Sequence, residues 1–245
     1  MAEHNGVTVF LADLHLRTDS PQSMTAFRML MERCVQRAGA VYILGDLFEY
    51  WAGDDDDGPV STEVAQILSA VDKEKMQIFF IAGNRDFLLG ETYAQKCGIT
   101  ILPDPSLIQL DGQPVLLSHG DMLCTDDAVY QQFRQQIRQS AWQQGFLKQP
   151  LAVRKQIINR LRERSKTETQ KKDMTIMDVN QEAVEELQRL YDYAVLIHGH
   201  THRPQYHAYD VDGHRCERFV LDSWDNTPSC LVWSDGRFTV EPLEF

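Results

Sequence analysis

The five cysteines, Cys34, Cys97, Cys124, Cys216 and Cys230, include no CxxC pair, and an odd number so spaced suits neither a zinc ribbon nor a closed disulfide framework. Reduced thiols in a cytoplasmic protein are the expectation. The chain has no run of 18 consecutive apolar residues, and its first residues lack the basic segment, apolar run and small-residue cleavage site of a signal peptide. Neither a spanning helix nor export by a signal peptide is expected. Positive charge is scarce: 24 Lys and Arg face 36 Asp and Glu, giving a formal net charge of −12, which argues against a surface built to hold nucleic acid. There is no low-complexity tract beyond the four aspartates Asp54 to Asp57, expected to be a solvated loop rather than an ion site.

What is present is ample core. With 43% hydrophobic residues in 245, the chain fits one large domain, or one domain with an insertion. Val7 to Leu11 reads as a strand ending in Asp13-Leu14-His15. Asp19-Ser20-Pro21 then starts a helix with Pro at the first helical position, its face lined by Phe27, Leu30, Met31 and Cys34. Tyr42 to Leu44 is a short apolar run of the buried parallel kind, after which Gly45 lets the backbone turn and Asp46 emerge. Ser61 is expected to cap a helix carrying Val64, Ile67, Leu68 and Val71. Ile78 to Ile81 is the next strand, ending in Gly83-Asn84-Arg85-Asp86, with a short helix near Leu88 to Cys97 beyond it. A hairpin turning at Asp111-Gly112 brings Val115 to Leu117 into Ser118-His119-Gly120-Asp121.

Spacing locates the insertion. Asp13 to Asp46, Asp46 to Asn84 and Asn84 to His119 are 33, 38 and 35 residues, each about one strand-and-crossover unit, but His119 to His200 is 81. The reading is a core of 1–120 and 190–245 with a helical cap at 121–189. Within Lys148 to Lys172 nine basic residues face two acidic ones, so the rest of the chain carries −19. Asp178, with Gln181 three residues on, suggests a capped helix to Leu190. A strand from Ala194 to Ile197 leads into His198-Gly199-His200-Thr201-His202, and hairpin signals at Asp212-Gly213 and Asp235-Gly236 make the tail four short antiparallel strands.

Polar groups thus gather at strand ends: Asp13, His15, Asp46, Asn84, His119, His200 and His202. In open α/β sheets ligands bind beyond the carboxyl ends of strands. Alternate residues such as Asp13/His15 and His200/His202 reach one side if the backbone stays extended. Seven oxygen and imidazole donors without sulfur suit Mn²⁺, Fe²⁺ or Zn²⁺, and suffice for two ions if one carboxylate bridges. Paired ions clamp the attacking and leaving oxygens of a displacement at phosphorus.

The order "DLH", "GDLFE", "GNRD", "SHGD", "GHTH" resembles the calcineurin-like metallophosphoesterase superfamily over about 1–120 and 190–245. The resemblance implies an α/β fold, a four-layer αββα double β-sandwich, with one ion on Asp13, His15, Asp46 and His202 and a second on Asp46, Asn84, His119 and His200. Asp46 would be the bridge, and Asp46, Asn84, Arg85 and His119 the catalytic set. Where many members read Asn-His, this chain has Asn84-Arg85. Arginine does not give up a proton near neutrality but pairs bidentately with phosphate oxygens. A phosphate-monoester leaving group, with a second pKa near ~6, needs no general acid at pH 7. Arg85 thus favours cleavage of a pyrophosphate, the alternative being an arginine that pairs with Asp86 or Asp121.

"GNRDFLLG", "HGDMLCTDD", "RSKTETQKK" and "IMDVNQ" resemble, over essentially the whole chain, the family of UDP-2,3-diacylglucosamine pyrophosphohydrolases of Gram-negative lipid A biosynthesis. That resemblance implies attack of water on the α-phosphorus, giving UMP and 2,3-diacylglucosamine 1-phosphate (lipid X), with Mn²⁺ as the usual metal. It carries substrate contacts onto Asn84, Arg85, Asp127, Ser165, Lys172 and His200, and onto Thr169, where some relatives have asparagine. The cap residues Trp142, Phe146, Leu147, Leu151, Val153, Ile157, Ile158 and Leu161 are more than one amphipathic stripe requires, so about half are expected to pack the cap and the rest to meet acyl chains or anionic lipid. The expectation is a peripheral protein, monomeric, on the cytoplasmic face of the inner membrane. A pyrophosphatase or phosphodiesterase acting on soluble nucleotides is the competing enzyme reading, and a noncatalytic scaffold, which should have lost ligands, the competing class.

Overall fold

The residues of one strand show how the layers are assembled. Along Ala38–Ile43 and just beyond it, Val41 and Ile43 pack among helices, whereas Ala40, Tyr42 and Leu44 pack against a second sheet. That period of two, apolar on both faces, belongs to a strand covered on both sides. The computed structural model describes residues 3–4, 6–169, 178–225 and 228–243. Through the first half the chain runs β1 (Glu3–His4), β2 (Val7–Leu11), α1 (Pro21–Arg37), β3 (Ala38–Ile43), α2 (Pro59–Ser69), β4 (Gln77–Ile81), α3 (Glu91–Cys97), β5 (Thr100–Leu102), β6 (Ser106–Leu110) and β7 (Gln113–Ser118). Helices follow: a single tight turn at Asp121–Leu123, then α4 (Ala128–Ile137), α5 (Ser140–Leu147), α6 (Leu151–Thr169) and α7 (Gln181–Leu190). The chain closes with β8 (Val195–His198), β9 (Gln205–Val211), β10 (His214–Val220), β11 (Ser229–Ser234) and β12 (Arg237–Pro242).

Among the described residues these strands form two six-stranded sheets, in the orders β12-β11-β2-β3-β4-β5 and β1-β6-β7-β8-β10-β9. Helices α1, α2 and α3 cover the outer face of the first sheet, and α7 covers that of the second through Val184 and Leu187 against Leu116 and Leu196. The result is four layers, αββα. Between the sheets Tyr42 stacks on Phe10 and Phe79 at ring separations of 5.4 and 4.7 Å, each pair worth roughly 0.5–1.5 kcal/mol beyond its buried area. Strands β2, β3 and β4 run parallel, as do β7 and β8, so their carboxyl ends open on one edge of the sandwich.

Several local expectations are corrected. Helix α2 begins at Pro59 after Gly58, and Ser61, inside the first turn, donates to the carbonyls of Asp56 and Gly58 instead of capping. Helix α7 is capped by Asn180, whose side chain accepts from Ala183 N at 3.0 Å, while Asp178 pairs with Arg203. Asn180→Ala should therefore lower unfolding free energy by about 1 kcal/mol, read as a shift of the urea midpoint at constant slope. Helix α7 packs on the second sheet through Val184 and Leu187. The tail strands are antiparallel within the pairs β9/β10 and β11/β12, yet they divide between the sheets, and β10 lies parallel to β8. The four-aspartate loop is not a free solvated loop. Asp54 accepts from Gly90 N, Tyr93 N and Trp51 Nε1, Asp55 pairs with Arg154, and Asp56 with Lys155 at 2.7 Å. Acidic core thus meets basic α6, a local use of the charge segregation seen in the sequence. All five cysteines are buried, and none forms a disulfide.

Candidate metal centre

Five of the seven candidate ligands leave their strands abruptly. Asp13, His15, Asp46, His200 and His202 have φ of 54°, 46°, 53°, 70° and 53°, in the left-handed region that side-chain-bearing residues rarely enter. Each carries strain on the order of 1 kcal/mol or more, held in place by bonds between loops: Asp13 N to Gly45 O, His15 N to Asp46 O, Gly199 N to His119 O and Trp224 N to Asp13 O, all 3.0–3.1 Å. The extended-backbone expectation for the Asp13/His15 and His200/His202 pairs is thereby corrected. Nor do the last two histidines act as one unit.

The seven side chains fall into two adjoining groups. In the first, His15 Nε2 lies 3.2 Å from His202 Nε2, and Asp13 Oδ1 lies 3.5 Å from the latter and 4.0 Å from the former. In the second, Asn84 Oδ1 stands 2.9 Å from His119 Nε2 and 2.8 Å from His200 Nδ1. Asp46 Oδ1, 3.8 Å from His119 Nε2, belongs with Asp13 and His119 in a buried cluster that joins the groups. Close approach depends on glycine. A Cβ on Gly83 would sit 2.1 Å from Asp46 Oδ1, and one on Gly45, itself at φ 88°, 2.6 Å from Gly83 Cα.

The donors fit divalent cations. Asp13 Oδ1 is buried with no hydrogen-bond partner, facing two imidazole nitrogens that face each other. His119 Nδ1 is 2.9 Å from Leu44 O, which as an acceptor holds a ring proton there, and although burial would lower it, the Asp46 and Asp13 charges raise His119 to about 9, so Nε2 faces the oxygens of Asn84 and Asp46 where a bound cation would stand in for its proton. Burial and the neighbouring His119 push His200 down to about 3, keeping its ring neutral as a ligand must be. Burial would raise Asp13, but His202, His119 and His15 hold it at about 2. Burial and the Asp13 charge lift Asp46 to about 6, a sign of crowded negative charge awaiting a cation. Oxygen and imidazole without sulfur suit a hard to borderline divalent ion.

Around this centre stand groups to which the motifs assign no role. Asp86, fully buried, accepts from Asp46 N, Leu47 N, Phe48 N and Gly83 N, tying the Asp46 turn to the Asn84 turn. Asp121 receives Tyr130 OH and Arg134 Nε, both at 2.8 Å, and Tyr130 lies over the His200 ring with centroids 5.9 Å apart. Neither aspartate pairs with Arg85. Arg85 Nε is buried without a partner, and its backbone N donates to Asp46 Oδ1 at 2.8 Å. The signal for Asp86 and Asp121 was their place two residues past a ligand inside a motif. His198 is structural: burial and Arg218, 3.2 Å away, push it down to about 4.

A cavity of about 300 Å³ adjoins the centre, with Asn84, Arg85 and Tyr130 in its lining. Phe87, Leu88, Phe133, Ile137, Trp142, Phe146, Ile158 and Leu161, most of them from α4, α5 and α6, line it together with Trp51, Val129 and the polar side chains of Glu49, Tyr50 and Arg162. Of the cap's apolar set, Phe146 is buried and Trp142, Ile157 and Ile158 pack on the core, while Leu147 and Val153 are exposed. Asp127 caps α4, accepting from Tyr130 N at 3.1 Å, and is not among the residues lining the cavity. Ser165 and Thr169 lie on α6, and their side chains and Lys172 lie outside the described residues.

Residues 7–204 match the model of the calcineurin-like phosphoesterases. The chain is 51% identical over 237 residues to the UDP-2,3-diacylglucosamine hydrolase of Aromatoleum aromaticum, covering 97% of this chain and 96% of that protein. It is 43% identical over 235 residues to the same-named hydrolase of Aeromonas hydrophila, covering 96% and 97%. Among solved structures, an archaeal phosphodiesterase aligns over 97% of this chain and 99% of its own at a TM-score of 0.52 and 13% identity, a likeness of fold alone.

Proposed function

The chain belongs to the calcineurin-like phosphoesterase family, and on that premise we propose that it is a metal-dependent hydrolase of the pyrophosphate bond of UDP-2,3-diacylglucosamine, releasing UMP and 2,3-diacylglucosamine 1-phosphate. The observation that carries the substrate is the apolar cavity opening on Asn84 and Arg85 beside the strand-end cluster. A phosphoryl-transfer centre needs no such chamber for a soluble nucleotide. Two acyl chains do.

Two divalent ions, Mn²⁺ by the family resemblance, would be held by Asp13, His15, Asp46 and His202 and by Asp46, Asn84, His119 and His200. When bound, such ions supply electrostatic stabilisation of the attacking and leaving oxygens at phosphorus. Arg85 extends that stabilisation from the protein side, its unpartnered Nε available to a phosphate oxygen. Tyr130, anchored by Asp121, holds the ring of His200 in place. With lipid X as leaving group no residue has to deliver a proton to it at pH 7. The helices α4 to α6 form the cap that encloses the lipid and excludes water from it.

Membrane contact is the second part of the proposal. Val129, 64% exposed, and Phe133, 37% exposed, lie one turn apart on α4 and also line the cavity, so its mouth is apolar on the outside. Such a rim suits a protein that takes its substrate from a lipid surface. No described helix is long and apolar enough to cross a membrane.

The deciding experiment compares Mn²⁺-dependent UMP release from UDP-2,3-diacylglucosamine and from its deacylated counterpart in detergent. The diacylated compound should be favoured in kcat/KM by at least about 10³-fold, a modest share of what burying two acyl chains contributes at ~0.8 kcal/mol per methylene. Equal turnover would refute the lipid assignment and favour a soluble nucleotide substrate.

A further inference from the structure

We propose that Glu49 is a positioning residue that couples the seating of cap helix α6 to the metal centre, holding the outer nitrogen of His15 with one carboxylate oxygen and Arg162 with the other. The proposal rests on the reading of His15 as a metal ligand.

The backbone sets Glu49 beside His15. Leu16 N donates to Leu47 O at 2.9 Å and Glu49 N to Leu16 O at 3.3 Å, a bridge that lays the two loops side by side. His15 is 5% exposed, and its Nδ1 has no hydrogen-bond partner. Glu49 Oε2 lies 3.5 Å from it. An imidazole that gives Nε2 to a cation keeps its proton on Nδ1, and a carboxylate there fixes the ring and raises the basicity of the ligating nitrogen. Glu49 Oε1 is ion-paired to Arg162 of α6, whose guanidinium lies 5.5 Å over the Tyr50 ring. Arg162 and Tyr50 both line the cavity. Among the described residues the other cation paired with Glu49 is Arg17, 3.9 Å from Oε2 and also bonded to Asp19 at 3.0 Å. Without Arg162, Oε2 has Arg17 as its cationic neighbour and the carboxylate is free to swing from His15 toward solvent. With α6 seated, it is held on the ring. Seating of the cap and ligation by His15 therefore favour each other, and such coupling is reciprocal.

The test titrates metal-free protein with Mn²⁺ in a calorimeter, comparing wild type with Glu49→Gln, Arg162→Gln, the double variant, and Lys155→Gln, which breaks the α6 pair to Asp56 without touching Glu49. Glu49→Gln should weaken one of the two Mn²⁺ sites by roughly 10–100-fold. Arg162→Gln should weaken the same site in the same direction, the double variant should be no weaker than Glu49→Gln, and Lys155→Gln, which loosens α6 but leaves Glu49 held, should lose clearly less than Arg162→Gln. In wild type, Mn²⁺ should also slow amide hydrogen exchange in α6, and in Glu49→Gln it should not. Unchanged affinity in Glu49→Gln overturns the proposal. So does wild-type affinity in Arg162→Gln, or a loss in Lys155→Gln equal to that in Arg162→Gln. Arg162 is about a third exposed, so its variant keeps the test decisive should Glu49→Gln fail to fold. His15→Ala separates the two readings: if it still binds two Mn²⁺ ions at full strength, the ligand assignment has failed rather than the coupling.

Discussion

Asp46→Ala should lower turnover by more than about 10³-fold and leave fewer than two Mn²⁺ ions bound per chain, a loss beyond the 10–100-fold that follows removal of an outer partner of a ligand. The reason is position. Asp46 is the carboxylate that clusters with both Asp13 and His119, between the His15/His202 group and the Asn84/His200 group. The backbone contacts of the residue, its carbonyl to His15 N and its N–H to Asp86, survive truncation. Alanine is nevertheless poorly suited to a φ of 53°, where aspartate and asparagine are tolerated. Asp46→Asn is therefore the cleaner variant: it keeps that tolerance and an oxygen for Arg85 N, while it removes the charge and replaces the second oxygen with an amide nitrogen. It too should lose at least about 10²-fold in kcat, the effect of one misplaced electrostatic stabiliser. Metal content after dialysis and initial rates of UMP release at saturating Mn²⁺ check both. Two retained ions with activity within tenfold of wild type would remove Asp46 from the centre.

The layers of the fold were legible because the strands carry short apolar runs at regular intervals and the helices repeat at three and four residues. Val41 and Ile43 against Tyr42 and Leu44 are the clearest instance, since period two with no polar face implies cover on both sides. The site was legible as a set of residues but not as a geometry. Asp13 and His15 do converge, through two left-handed residues and not through an extended strand, and no sequence pattern separates those routes when the residues are Asp and His. The division of His200 from His202 is likewise tertiary: Asn84 claims the first, Asp13 and His15 the second. Charge segregation was visible between Lys148 and Lys172 and in the four aspartates, yet its meaning required knowing that α6 crosses the Asp54 to Asp57 loop. Capping failed at Ser61 because Pro59, two residues earlier, already supplies a helix start, and a serine in the first turn bonds backward to carbonyls just as readily as it caps.

The second large effect is expected at Asp86, which motif reading passes over because it stands two residues beyond the ligand. Its Oδ1 accepts from Gly83 N at 2.9 Å and Asp46 N at 3.2 Å, and its Oδ2 from Leu47 N at 2.7 Å and Phe48 N at 3.4 Å, all fully buried. A carboxylate can take four donors in this way, whereas the carboxamide of Asp86→Asn offers one oxygen and must turn its own NH₂ toward two of them. Each buried N–H left without an acceptor costs about 1–3 kcal/mol, so Asp86→Asn should lose roughly 2–5 kcal/mol of unfolding free energy despite its near-identical shape. The lost bonds are those that hold the left-handed turn of Asp46 against the Asn84 turn, so kcat at saturating Mn²⁺ should fall by about 10–100-fold as well, with KM for the lipid little changed. Denaturant midpoints and steady-state rates separate the two losses. If Asp86→Asn were as stable as wild type but inactive, Asp86 would be acting on the chemistry directly and not through the turn; if it were destabilised yet fully active, the two loops would be held together by something other than this carboxylate.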